Sequence, residues 1–185
     1  ACFDTMFHAG LPRNAALLAL PRRYFDAGVR RYGFHGLSYE YVVETLVRSG
    51  VDLSRERIVV AHLGAGASMC ALKGGRSVET TMGFSTLSGL PMGSRCGDID
   101  PAIPAFMMGQ ENLSAKEIDG VHNKKSGILG ITKRFTDRRD VIANAEKGDH
   151  LCQLALDIEG YRLKKYIGSY MAILGRLDAV VFTAG

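Results

Sequence analysis

Between residues 57 and 82 the chain abandons helical spacing for strand spacing, and this change constrains the fold more than any other feature. Arg57-Ile58-Val59-Val60-Ala61-His62-Leu63 is a β-branched run, closed by the turn Gly64-Ala65-Gly66. A second run, Ala67 to Leu72, meets the turn Lys73-Gly74-Gly75-Arg76, and Ser77 to Met82 reads as a third strand. The pattern predicts two successive antiparallel hairpins. Such a meander needs apolar cover, and the flanking segments offer helices to provide it.

A helix reads from Ser38, which can cap it, through Tyr41, Val42, Leu46 and Val47 to a stop at Gly50. Beyond a Gly- and Pro-rich stretch from Gly83 to Pro101 the helical pattern returns, with Ser114 and Asp149 as N-cap candidates. Leu151, Leu154, Ala155, Ile158, Leu163, Ile167, Tyr170 and Leu174 predict one long helix ended by Gly175. Residues 178–185 then read as a buried strand running into a glycine, the place where an α/β protein sets a ligand loop. Both ends of the chain cut through apolar elements, which leads us to expect an excerpt of a longer protein.

Composition narrows the function classes. With 185 residues, 46% of them hydrophobic and 23% charged, the chain has the makeup of a globular domain and not of a disordered tract. Its net charge of +4 comes from scattered basic pairs such as Arg22-Arg23, Arg30-Arg31 and Lys124-Lys125. That scatter, without aromatics interleaved on one sheet face, argues for small anions and against nucleic acid despite a pI near 8.9. Cys2, Cys70, Cys96 and Cys152 lie far apart with no metal-ligand spacing, so we expect free thiols in a reducing, cytoplasmic setting. No apolar run reaches the ~18 residues of a membrane span.

Four segments could carry chemistry. The turn of His62-Leu63-Gly64-Ala65-Gly66 lets backbone N–H groups approach an oxyanion, although any Gly-rich hairpin shares that look. It is neither a P-loop nor a dinucleotide fingerprint. Gly93-Ser94-Arg95-Cys96-Gly97-Asp98-Ile99-Asp100-Pro101 sets a guanidinium among glycines, either to clamp a phosphate or carboxylate or to form local surface ion pairs. His35, in Arg31-Tyr32-Gly33-Phe34-His35-Gly36, sits just before a helix N-terminus, where an imidazole meets an anion or serves the turn. Asp4, in Phe3-Asp4-Thr5, suits a metal ion, a nucleophile-orienting role or a plain turn.

Taken in order, these motifs resemble the acetate and propionate kinase family. The resemblance runs from Phe3-Asp4-Thr5 through Arg30-Arg31-Tyr32-Gly33-Phe34-His35-Gly36, His62-Leu63-Gly64, Gly93-Ser94-Arg95 with Gly97-Asp98-Ile99-Asp100-Pro101, and Asn123-Lys124-Lys125-Ser126-Gly127, to Val181-Phe182-Thr183-Ala184-Gly185. It implies an α/β protein with the actin-like, sugar-kinase-like ATPase fold of two related domains. Residues 1–55 would end the first domain, and residues 56–185 would form most of the nucleotide-binding second. The implied activity is reversible transfer of the γ-phosphoryl of ATP, with Mg2+, to a short-chain carboxylate such as acetate or propionate. By the same resemblance Asp4, His35 and Arg95 are the catalytic residues. His62, Leu63, Gly64, Ala65, Gly66, Asp137, Arg138, Arg139 and Gly185 contact nucleotide, and no residue is assigned as a metal ligand. A homodimer is implied for the full-length protein.

Several positions depart from the family pattern. Ala65 stands where Asn is usual, Thr86 where Pro is common and Ser88 where Glu is. Tyr39 takes the place of a second histidine, and Arg138 that of an aromatic residue. Ala65 and the missing flanks motivate an alternative, a nucleotide-binding module of the same fold that does not transfer phosphoryl groups. The 185-residue chain alone is expected to be inactive as a kinase.

Overall fold

The structure, a computed structural model, describes residues 3–184. They divide into two compact units, one of residues 3–86 and 164–184 and the other of residues 87–163, which lie between those two segments in sequence.

The first unit is built on a four-stranded sheet. Strands β1 (Arg57–Leu63), β2 (Ala67–Lys73) and β3 (Arg76–Thr80) form the two antiparallel hairpins, and β4 (Ala179–Thr183) joins β1 in parallel, giving the order β3-β2-β1-β4. Gly74 and Gly75 both take positive φ, +63° and +70°, the backbone that a two-residue hairpin turn demands. In β2 every residue from Ala67 to Leu72 is buried, so both sheet faces are covered there. On one face Ile58, Val60, Cys70 and Leu72 pack with Tyr39 and Val42 of helix α3 (Gly36–Arg48) and with Leu53. Two short helices, α1 (Arg13–Ala16) and α2 (Arg22–Asp26), follow a 3-10 turn at Met6–His8.

Two expectations about these elements need correction. Helix α3 starts two residues before Ser38, and His35 occupies the cap position with φ +58°. Ser38 therefore lies inside the first turn, and capping comes from Asp4, far away in sequence, as described below. The last strand is not buried: Ala179 and Phe182 are exposed, and Val180 and Val181 are half-buried. Its apolar side chains reflect a sheet edge paired on one side only.

The second unit is helical: α4 (Ala102–Glu111), α5 (Ala115–Lys124), α6 (Gly127–Thr132), α7 (Arg138–Ala145) and the first part of α8 (His150–Leu174). Ser114 caps α5, as the sequence predicts, and does so in a reciprocal box with Glu117. Asp149 accepts the N–H groups of Leu151 and Cys152 at the start of α8 (3.0 and 3.1 Å). Ile128, Val141, Cys152 and Ala155 form this unit's core. Cys70, Cys96 and Cys152 are free thiols. Among the described residues no helix is long and apolar enough to cross a membrane.

Candidate functional site

In the first unit the predicted residues converge where β1 and β4 both end. These strands run parallel, with His62 opposite Thr183, so their carboxyl ends share one edge of the sheet. That edge is the general location of ligand sites in α/β folds. The three-residue turn Gly64-Ala65-Gly66 follows directly, because Leu63 pairs with Ala67 across the hairpin. Ala65 is exposed at its tip.

The approach of His35 to this edge is fixed by Asp4. The His35 backbone N–H donates to Asp4 Oδ2 (2.5 Å), and the Leu37 N–H donates to Oδ1 (3.3 Å). The Gly36 N–H donates to the Asp4 carbonyl (2.9 Å). One residue thus satisfies three of the donors that a helix N-terminus leaves unpaired, and its negative charge complements the helix dipole there. Gly36 permits the contact, since a Cβ at that position would fall on the Asp4 carbonyl oxygen.

A second support lies beneath the loop. His8, almost fully buried, bonds through Nε2 to the Phe34 carbonyl (3.0 Å) and through Nδ1 to Ser77 Oγ (2.8 Å). A carbonyl only accepts, so Nε2 carries the proton and Nδ1 accepts from Ser77. Burial pushes the His8 imidazole below its ordinary value, opposed by the Phe34 bond and the Asp4 charge. Burial also drives the Cys70 thiol, which donates to Ser77 Oγ (3.3 Å), up to about 12.

His35 and His62 stack face to face, with ring centroids 3.9 Å apart and planes 15° from parallel. His35 Nδ1 meets Ser68 Oγ at 2.8 Å, and the Tyr39 hydroxyl meets the same oxygen at 2.5 Å. His62 Nδ1 meets Ser38 Oγ at 2.9 Å. Burial lowers the His62 pKa, again against the pull of Asp4. Sequence reasoning passed over Ser68, Tyr39 and Ser38 as site residues. Signals existed for two of them: Tyr39 stands four residues after His35, and strand register sets Ser68 opposite His62.

Arg95 belongs to the second unit, where its loop is stitched to the 123–129 segment. Cys96 N–H donates to the His122 carbonyl, Ser94 Oγ to the Asn123 carbonyl, and Ser126 N–H to the Ser94 carbonyl (3.0, 2.9 and 3.0 Å). Ile128 and Leu129 N–H groups donate to Met92 and Gly93. The Asn123-to-Gly127 motif thus acts as the frame of the Arg95 loop. The guanidinium is half-buried and touches Met92 Sδ at 3.5 Å.

Asp137, Arg138 and Arg139 open α7 in the same unit. Asp137 caps the helix through the Arg139 N–H (2.9 Å) and pairs with the Arg139 guanidinium. Those bonds hold its carboxyl down at about 2. Arg138 turns the other way, forking onto Glu159 of α8, with Nε to Oε2 at 2.9 Å and a second bond to Oε1. Gly185 lies outside the described residues; Ala184, just before it, takes φ +65° near Gly64.

For a metal ion the residues here are insufficient. Both Asp4 oxygens already accept backbone N–H groups. Among the described residues no three His, Cys, Asp or Glu side chains stand together to hold a cation.

The Gly64-Ala65-Gly66 turn thus lies beside a stacked histidine pair, on a sheet edge where two parallel strands end. The sequence profile of the acetokinase family matches residues 1–185. This chain belongs to the acetokinase family. It is 63% identical, over 187 residues, to the acetate kinase of Geobacter sulfurreducens, covering 100% of this chain and 44% of that protein. The solved acetate kinase of Porphyromonas gingivalis superposes with a TM-score of 0.95 at 40% identity, covering 99% of this chain and 46% of its own. A propionate kinase from Francisella tularensis gives 0.94 at 41%, covering 99% and 47%. The chain therefore spans about half the length of the relatives it matches, and the fold is the actin-like ATPase fold of the acetokinase family.

Proposed function

We propose that the protein to which this chain belongs transfers the γ-phosphoryl group of ATP to the carboxylate of a short-chain acid, acetate or propionate, reversibly forming an acyl phosphate and ADP. The observation that carries the proposal is the gathering of Asp4, His35 and the His62-to-Gly66 turn at one sheet edge, in a chain 63% identical to an acetate kinase.

Phosphoryl transfer asks little covalent work of the protein and much fixed positive charge and hydrogen-bond donation around the transferring group. His35 supplies one directed donor, held by Asp4 and Ser68. Arg95 supplies a permanent planar charge on a loop whose backbone is tied down. The acceptor carboxylate is ionised at neutral pH and needs no base, so Asp4 serves as a positioner. The 64–66 turn offers backbone N–H groups to phosphate, with Asp137, Arg139 and Gly185 also on the nucleotide. Arg138 serves by pinning α7 to α8. Mg2+ accompanies ATP as part of the substrate and lowers the charge of its phosphates. We assign residues 1–55 to the end of one domain and 56–185 to most of a second, in a cytoplasmic homodimer.

The test is to incubate the full-length gene product with Mg-ATP, acetate or propionate, and hydroxylamine, trapping acyl phosphate as hydroxamate. Sustained hydroxamate, with kcat reduced ~10²–10³-fold in Arg95→Ala, is expected. No hydroxamate from the wild-type protein, with ATP still bound, would refute the kinase and leave a nucleotide-binding module.

A further inference from the structure

A cavity of about 300 Å3 opens within the second unit, walled by the loop that carries Arg95, by α6 and by the middle of α8. That volume suits a small ligand. Two cations reach the wall from different elements: Lys125 at the end of α5, and Arg162 on α8. Among the described residues neither side chain has a hydrogen bond or an ion pair, although Lys125 exerts a longer-range pull on Glu117. For Arg162 the reason is local. The one carboxylate at helical-neighbour spacing is Glu159, and Arg138 has taken it. Arg162 is half-buried, so its guanidinium has given up water without gaining an acceptor. An anion in the cavity supplies that acceptor.

The remaining walls select among anions. A planar fork beside a point charge is the pairing that phosphate recognition uses. Ile131 and Ile158 add an apolar side for a short carbon skeleton. Cys96 stays an uncharged thiol, its pKa raised by burial, and donates to the Gly97 carbonyl (3.2 Å). Asp98 also lines the cavity; its Oδ1 accepts the Gly89 N–H (2.8 Å), and a carboxylate accepts further donors. A carboxylate set beside two cations disfavours a ligand that is anionic throughout, and favours one that joins an anionic group to hydroxyls. We infer that this cavity binds a small hydroxylated organic phosphate, with its phosphoryl group on Arg162 and Lys125 and its hydroxyls toward Asp98. The inference does not rest on the proposed kinase reaction, because no residue given a role in that reaction lines the cavity. It does bear on the frame of Arg95. Cys96 and Ser126 line the cavity, and their N–H groups tie the loop down through the His122 and Ser94 carbonyls (3.0 Å each). A ligand bound there holds the frame closed.

Glycerol 3-phosphate is the probe, titrated into the full-length protein by calorimetry and followed by amide hydrogen exchange at Cys96 and Ser126. At about ten times its Kd it should slow exchange of both amides ~10-fold, because opening the frame then requires losing the ligand. Arg162→Gln should weaken binding ~10-fold or more, and Lys125→Gln, at an exposed position that packing does not constrain, should also weaken it several-fold. Arg162→Lys keeps the charge without the fork and should fall between wild type and Arg162→Gln. Inorganic phosphate, which lacks the hydroxylated skeleton, should bind ~5-fold more weakly than the probe. Failure of the probe to slow either amide in the wild-type protein would overturn the inference. So would an unchanged Kd in both Arg162→Gln and Lys125→Gln, which would put the anion elsewhere. Inorganic phosphate binding as tightly as the probe would overturn the assignment to an organic ligand.

Discussion

Replacing Arg138 by methionine would strip Glu159 of its guanidinium while leaving the carboxylate where it is, only 8% exposed at the α7–α8 contact. Arg138 itself is 30% exposed, and its bonds to Glu159 hold its own pKa above the ordinary value. Removing one partner of a largely buried pair costs ~3–5 kcal/mol, since the remaining charge keeps its desolvation penalty and loses its attraction. Partial exposure of the arginine places this pair at the lower end, about 3 kcal/mol. Methionine fills much the same volume, so little of that cost is a cavity. Adding Glu159→Gln removes the orphaned charge and should recover at least half. Native-state hydrogen exchange in the full-length protein measures the opening of α7 without requiring global unfolding. At tenfold per 1.4 kcal/mol, the α7 amides that exchange through local opening should exchange roughly 150-fold faster in Arg138→Met. They should fall back toward wild type in the double variant. The nucleotide KM should rise only as far as the loosened helix lets Asp137 and Arg139 wander. Unchanged α7 exchange together with a tenfold rise in nucleotide KM would refute this reasoning and put Arg138 on the nucleotide.

Two further outcomes are expected. Asp4→Ala should cost ~1–2 kcal/mol, seen as faster exchange in the first turn of α3, with Asp4→Asn restoring most of it because an acceptor remains; equal exchange in wild type and Asp4→Ala would remove Asp4 from the capping role. His8 is held neutral by burial, so the unfolded chain binds the proton more readily, and the stability that neutral His8 contributes is present above about pH 6.5 and lost as pH falls toward its depressed folded value. Urea midpoints should therefore drop more between about pH 7.5 and about pH 5.5 in wild type than in His8→Asn, and parallel slopes in the two proteins would contradict it.

The elements readable from the sequence were those whose causes are local. The hairpins at 57–80 declare themselves through β-branched runs and glycine pairs, and the α5 cap through Ser114. What escaped depends on residues distant in sequence. Ser38 has the chemistry of a cap, but Asp4, 31 residues before His35, fills that role. The run from Ala179 to Thr183 looks like an interior strand because composition cannot tell a core from an edge awaiting a neighbour. At the site, His35, His62 and Asp4 were each ambiguous by type and spacing, and it was the ordered family resemblance that marked them. Ser68 and Tyr39 are common residues brought together only by the fold, Ser68 Oγ meeting both His35 Nδ1 and the Tyr39 hydroxyl.

The pairing of β1 with β4 has a kinetic consequence. Arg57 and Asp178 clasp the start of that pairing, the Asp178 N–H on the Arg57 carbonyl (2.8 Å) and the Arg57 N–H on the Asp178 carboxylate (2.7 Å), 121 residues apart. During synthesis the three-stranded meander emerges early and can form at once from short-range contacts, while its fourth strand is still unmade. The entire helical unit, residues 87–163, leaves the ribosome in that interval and can condense around its own core. The flank of β1 stays open throughout, a row of unpaired backbone groups that another nascent chain can join. Translation speed through residues 87–163 should therefore set how long that edge is exposed, and slow codons there should raise misassembly more than slow codons after β4.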